Sequence, residues 1–243
     1  MYKVGVDLGG TNIAVGVVDE KYSIIGKGKV KTNAPRPAEE IFADIKKAID
    51  MAVADAGLTM ADIESVGVGT PGSVNQDTGM IEFSNNLAFN NVPAKKMLEE
   101  LTGKPCYFEN DANAAALGEA YAGAGNGAKN FVAVTLGTGV GGGIIQNGQI
   151  VSGANGAAGE IGHMVITEPE NVVGTCGCGH QGCLEQIASA TGIVNLAKRQ
   201  LTECDEASIL RQYAPLTAKD VLDAAKAGDA LACRVAEQMM QAL

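Results

Sequence analysis

Basic charge is scarce in this chain: 18 Lys and Arg stand against 28 Asp and Glu, a net charge of −10. No run of basic residues offsets that balance, which excludes the electrostatic footprint that nucleic acid or an anionic membrane surface requires. A leader pattern is missing too: Met1-Tyr2-Lys3 runs straight into a strand pattern, so no signal peptide is expected and the expected location is cytoplasmic. The longest charge-free stretch, residues 130–159, holds nine glycines and the amides of Gln146, Asn147 and Gln149. Lipid would leave that backbone unsatisfied, which excludes a membrane span. Six cysteines are too few to staple 243 residues together, and no Gly-x-x-x-x-Gly-Lys-Ser/Thr loop occurs.

Glycine, by contrast, is abundant, with 32 residues against 7 prolines, and points to many special turns. At roughly 150 residues per domain the length allows one to two domains. Short apolar runs at Lys3–Asp7, Asn12–Val18 and Ile24–Val30 predict a three-stranded meander. Ile41, Ile45, Ile49 and Val53 predict a helix opened by Pro37 and closed by Gly57. A strand at Ser65–Gly69, a helix from Pro93 to Thr102, a strand at Cys106–Glu109 and a helix from about Asp111 to Gly123 follow. The order then restarts. Phe131–Leu136 is expected as a buried strand, Gly137–Gly143 as a glycine turn, and Gly143–Gln146 with Gln149–Val151 as a hairpin around Asn147-Gly148. Asp7–Thr11 aligns with Thr135–Gly139 at a constant offset, which suggests a duplicated α/β unit. The expected domains are 1–122 and 123–243, with a hinge near 120–128. Beyond Glu185 the chain reads as helical, with Thr217 and Asp229 as N-caps. Leu231, Val235, Met239 and Leu243 keep helical spacing to the last residue, from which a second domain truncated at its C-terminus is expected.

Gly137-x-Gly139-x-x-Gly142 matches a dinucleotide fingerprint, but that fingerprint needs a helix after the glycines and a strand is expected here. What remains is two Gly/Thr hairpin turns, Gly9-Gly10-Thr11-Asn12 and Thr135–Gly143, suited to phosphate oxygens, with Asp7 placed to hold Mg²⁺ through water. Asp111 sits where a strand meets a helix, as either an N-cap or a group lining a crevice at the strand ends. His163, Cys176, Cys178 and Cys183 have the composition of a closed zinc site. His180 competes as the fourth ligand, and a redox Cys-x-Cys pair is the alternative reading.

These motifs, together with Glu109–Glu119, Leu136–Gly143, Gly159–His163 and Cys176–Glu185, resemble the ROK family of sugar kinases, on the side of bacterial glucokinases. The resemblance implies an α/β fold of the actin/hexokinase (ribonuclease H-like) type and ATP-dependent phosphorylation of a hexose. Glucose is the first choice, ahead of N-acetylmannosamine, N-acetylglucosamine and fructose. It implies Asp111 as the base, with Asp7, Gly9, Gly10, Thr11, Asn12, Thr135, Gly137, Thr138 and Gly139 at the nucleotide. Asn86 (beside Asn85), Asn110, Asp111, Glu160, His163 and Glu185 would contact sugar. Structural zinc on His163, Cys176, Cys178 and Cys183, Mg²⁺ with ATP, and a homodimer complete the expectation. The family also includes sugar-responsive repressors, which place a DNA-binding domain ahead of the Asp-x-Gly-Gly-Thr motif. Asp7 comes too early in this sequence for one, so that reading is disfavoured.

Overall fold

The computed structural model describes residues 1–154 and 156–243. They form two compact units, residues 1–133 with 143–159 and residues 134–142 with 160–243. The boundary expected after residue 122 lies inside the first.

The first unit is built on a five-stranded sheet. Strands β1 (Tyr2–Leu8), β2 (Asn12–Val18) and β3 (Ile24–Lys31) form the expected antiparallel meander; β4 (Ile63–Thr70) and β8 (Cys106–Asn110) add parallel strands, giving the order β3-β2-β1-β4-β8. Helix α1 (Ala38–Asp55) makes the crossover and buries Ile41, Phe42, Ile45, Ala48, Ile49, Ala52 and Val53 against one sheet face. That three- and four-residue spacing is the apolar stripe of a helix lying on a sheet. Two glycines on β3 bring the helix close. A Cβ on Gly26 would stand 2.3 Å from the Ala52 carbonyl oxygen, and one on Gly28 would stand 2.1 Å from that of Ala48.

The other sheet face is open. Gly16, Gly5 and Gly67 lie abreast on three neighbouring strands. A cavity of about 1280 Å³ runs over them and takes in Tyr107, Asp7 and Asp111. A small antiparallel sheet of β5 (Ser73–Asn75), β6 (Met80–Ser84) and β7 (Phe89–Val92) has no clear signal in the sequence, because its strands are three to five residues long. It precedes α2 (Ala94–Thr102), which stops at Gly103 in the left-handed conformation as expected. Helix α3 (Asp111–Ala122) follows β8 directly.

A third sheet, β11-β10-β9, comprises β9 (Phe131–Leu136), β10 (Val140–Gln146) and β11 (Gln149–Ile150). The duplication is visible in its bounds: β2 at 12–18 and β10 at 140–146 differ by 128 at both ends, and Leu8 and Leu136 end their strands at the same offset. Two expectations need correction. β10 starts at Val140, so the glycine turn is only residues 137–139. β9 is an edge strand with Val132, Val134 and Leu136 about half exposed, so it is not buried. A continuous apolar run does not reveal how many faces are covered.

In the second unit, α4 (Glu185–Ala188), α5 (Ala190–Glu203), α6 (Ala218–Lys226) and α7 (Ala230–Ala242) enclose a core including Ile193, Leu196, Leu210, Val221, Leu231 and Val235. Thr217 and Asp229 cap α6 and α7 through the amides of Asp220 and Ala232, as the sequence predicts.

Gly28→Ala should lower stability by about 1–3 kcal/mol, because the added methyl meets backbone that cannot move aside cheaply. Gly5→Ala, on the open face with nothing within 4 Å, should leave the melting temperature unchanged or slightly raised. Thermal melts of the two variants compare them directly; equal melting temperatures would refute the close-packing account of β3 and α1.

Candidate active site

Parallel strands end at a common edge, and here the register aligns chemistry along it. Asp7 pairs with Gly69, Gly69 with Glu109, and Thr70 with Asn110. Asp111 is then the first residue of α3, and among the described residues its exposed carboxylate accepts only from the Ala112 amide, at 2.9 Å. Gly69 lets this turn approach: a Cβ there would meet Ala114 at 3.2 Å and the Asp111 Cα at 3.6 Å. Asp111 is not the cap of α3. Asn110 is, its Oδ1 accepting from the amides of Ala112 and Asn113. Its Nδ2 donates to the Gly72 carbonyl at 3.2 Å, which leaves one N–H of Asn110 for a ligand.

Asp7 and Asp111 face one another electrostatically. Burial first, and the charge of Asp111 second, raise the Asp7 pKa above the ordinary carboxylate value. Two carboxylates in mutual repulsion suit a partner that is positively charged.

The first glycine turn is held from inside. Gly9 N–H donates to the Asn12 carbonyl at 3.0 Å, and buried Thr32 donates its hydroxyl to the Gly9 carbonyl at 2.6 Å and its amide to that of Thr11 at 3.0 Å. Asn86 lies against Gly10, with its carbonyl oxygen 3.4 Å from where a Cβ would stand. Asn85 and Asn86 are both exposed on the turn between β6 and β7.

The second turn, in the other unit, is braced by residues 185–191. Gly137 donates across the turn to Gly139, Ala190 N–H donates to the Gly137 carbonyl at 2.9 Å, and the Thr191 hydroxyl to that of Thr138 at 3.0 Å. Val140 N–H donates to Glu185 Oε2 at 3.0 Å. A Cβ on Gly139 would stand 2.2 Å from Glu185 Oε2, so a side chain there would displace this carboxylate from Val140 N–H. At Gly137 nothing lies within 4 Å and the backbone is not left-handed. Thr135 and Thr138 flank the same turn. Thr32 and Thr191 are the braces that sequence reasoning missed; each stands far along the chain from its turn, without a local pattern.

Beside this turn lies the Cys/His cluster. One donor atom each from His163, Cys176, Cys178 and Cys183 fall within 4.8 Å of one another. Cys176 Sγ is 3.3 Å from His163 Nδ1, and Cys178 Sγ is 3.6 Å from Cys183 Sγ. A tetrahedral ion with sulfur bonds of about 2.3 Å needs sulfurs about 3.8 Å apart, so the set fits such an ion. His180 approaches Cys178 at 3.6 Å and is exposed; it is not one of the four clustered donors. The loop turns at Gly174, Gly179 and Gly182, all with positive φ, whereas Gly177 has ordinary backbone. A backbone bond from His180 brings the Cys178 thiol down to about 6, while burial pushes Cys183 up to about 12 and raises Cys176. His163 turns Nε2 toward Glu160, 3.6 Å away, and Glu185 Oε1 lies 3.9 Å from Cys176 Sγ. Glu160, His163 and Glu185 thus share one neighbourhood with the cluster.

The model of the ROK family matches residues 3–243. This chain belongs to the ROK family. The glucokinase of Halalkalibacterium halodurans is 44% identical to this ROK chain over 239 residues, covering 97% of this chain and 72% of that protein. A ROK family glucokinase from Streptomyces griseus, solved in complex with glucose and AMPPNP, superposes with a TM-score of 0.81 at 37% identity, covering 100% of this chain and 76% of that one. The xylose repressor of Caldicellulosiruptor bescii is 30% identical and covers 96% of this chain and 58% of that protein. The actin/hexokinase-like α/β fold expected from the motifs is therefore the fold of this ROK chain.

The raised pKa of Asp7 has a consequence for stability. The native chain holds this proton to higher pH than the unfolded chain does, so the contribution is largest in acid. It is lost as pH rises from about 4, the ordinary value, through the raised native value. Asp7→Asn should therefore stabilise the chain relative to wild type at pH 7 more than at pH 4. A melting-temperature difference independent of pH would contradict this.

Proposed function

We propose that this chain is an ATP-dependent hexose kinase, with glucose as the preferred sugar. The observation that carries the proposal is the division of labour at the start of α3. Asn110 caps the helix, so Asp111 is left exposed at the strand edge with no structural duty beyond its neighbour's amide. The similarity to glucokinases supports the reaction and the sugar.

Phosphoryl transfer asks for positioning, charge neutralisation and a group that orients the nucleophile. In this reading Asp111 accepts the proton of the attacking sugar hydroxyl. Asp7, opposed to Asp111, holds Mg²⁺ of MgATP through water. Gly9, Gly10, Thr11 and Asn12, with Thr135, Gly137, Thr138 and Gly139, serve the nucleotide phosphates. Gly10 and Gly137 support this, because neither has left-handed backbone nor a neighbour close enough to demand glycine. Asn86, Asn110, Glu160, His163 and Glu185 contact sugar hydroxyls. His163, Cys176, Cys178 and Cys183 hold zinc, whose part when bound is to order the loop carrying His163 and Glu185. The same reading makes the protein a cytoplasmic homodimer with no nucleic-acid or membrane partner. N-acetylmannosamine, N-acetylglucosamine or fructose would be the sugar if glucose is not. A repressor would leave Asp111 without a reaction to serve.

Coupled ADP release over a sugar panel tests the reaction. Asp111→Asn should cut kcat by about 10²-fold or more, a barrier rise of about 3 kcal/mol, while the melting temperature holds. Turnover close to wild type in that variant would remove Asp111 from the mechanism. For the metal, elemental analysis of protein purified without chelator should find one zinc per chain. Its binding should release about two protons, from Cys176 and Cys183, so affinity should rise with pH. Cys178→Ser should lower the melting temperature. Zinc-free protein with unchanged stability would end the zinc assignment.

A further inference from the structure

Glu109 stands in the strand-edge row beside the reacting turn, yet the kinase reading leaves it without a task. Its Oε1 accepts from the Asn110 amide at 2.8 Å and from Asn113 Nδ2 at 3.0 Å. Its Oε2 accepts from Gln76 Nε2, which also lies 3.3 Å from Ser152 Oγ. One carboxylate thus grips the residues on both sides of Asp111. Gln76, on the turn between β5 and β6, secures that carboxylate from outside. Asn113 is only 3% exposed, and its Oδ1 has no partner among the described residues. An unpaired buried amide oxygen is unfavourable, so the bond from Nδ2 to Glu109 is what holds this side chain in place.

We propose that Glu109, locked by Gln76, is the positioning residue that sets the Asn110-Asp111-Ala112-Asn113 turn for phosphoryl transfer. This rests on the kinase reading above. The Asp111 carboxylate has no side-chain partner to aim it, so its direction follows from the backbone of this turn. Asn110 caps the turn from its own side chain; Glu109 holds the Asn110 amide and anchors Asn113 one helical turn later. Misplacing a base by about an ångström is enough to cost a large part of its effect. The role needs hydrogen-bond geometry, not the negative charge itself. An amide at this position can still accept from the Asn110 amide and Asn113. The Gln76 amide then turns round to accept from the new amide and from the Ser152 hydroxyl, so only the outer bonds reverse while those to Asn110 and Asn113 keep their direction.

The test compares Glu109→Gln, Glu109→Ala, Gln76→Glu and the double exchange Gln76→Glu with Glu109→Gln, measuring kcat and KM for MgATP and glucose, with circular dichroism to confirm folding. Glu109→Gln should stay within about threefold of wild-type kcat, whereas Glu109→Ala should lose about tenfold or more with KM for ATP little changed. Gln76→Glu opposes two carboxylates and should lower kcat; the double exchange should restore it. Should Glu109→Ala fail to fold, the loss in Gln76→Glu and its recovery in the double exchange carry the test. The proposal is overturned if Glu109→Gln is as slow as Glu109→Ala, since the charge itself would then be acting. A Glu109→Ala variant at wild-type kcat, or a double exchange without recovery, overturns it equally. If wild type phosphorylates no sugar, it is the kinase reading that fails. Hydrogen exchange at the amides of Asn110, Ala112 and Asn113 then decides the positioning claim: protection lost in Glu109→Ala and kept in Glu109→Gln supports it, and protection unchanged in Glu109→Ala overturns it.

Discussion

The parallel pairing of β1, β4 and β8 puts Asp7, Gly69 and Glu109 in one row, and a strand that ends beside that row must hand its next residues to the edge. Everything chemical in the first unit follows from that register. Shifting β8 by one residue would turn its alternating side chains to the opposite faces. Cys106 and Phe108, now in the core, would then come to the open face, and Asp111 would leave the edge. The burial of Val66, Val68, Cys106 and Phe108 against the α1 side therefore fixes the position of the exposed acid, although none of these side chains is chemical.

Holding the edge also explains how a helix can begin with an acid that is not its cap. A helix start has unsatisfied amides, and an acid at its first position is drawn toward them. If Asp111 were the cap, its carboxylate would be committed to the amides of the first turn. Asn110 takes that duty with a neutral side chain that caps about as well. The acid is then free to face solvent. Asp7 lies close enough for burial first, and the Asp111 carboxylate second, to raise its pKa.

The hairpins, the caps of α6 and α7 and the Cys/His spacing are legible because each is local: a turn, a cap and a short loop are written in adjacent residues. The 128-residue repeat was legible from five positions because strand, glycine turn and strand recur together. The failures share a different cause. Asp111 and Asn110 are adjacent and equally good caps, so composition alone could not say which one was engaged. The exposure of β9 depends on what pairs with it, and Gln76, Thr32 and Thr191 act across 33, 23 and 53 residues of chain. No spacing rule reaches that far.

Glycine shows where sequence meaning divides. Gly26, Gly28 and Gly72 are required by the chain itself, since a methyl at any of them would collide with a backbone carbonyl within 2.3 Å. At Gly139 a methyl would meet only the movable end of the Glu185 side chain, so that carboxylate would have to shift. Gly10 and Gly137 differ: the chain would admit a side chain at either, as their backbones are not left-handed and no atom lies closer than 3.4 Å. A glycine in mid-hairpin weakens the fold through its conformational freedom. Where no contact within the chain accounts for one, the space it keeps open is available to a ligand that approaches the backbone closely. Phosphate oxygens make that kind of approach, so within these motifs the two unforced glycines point to the nucleotide more strongly than the glycine count does.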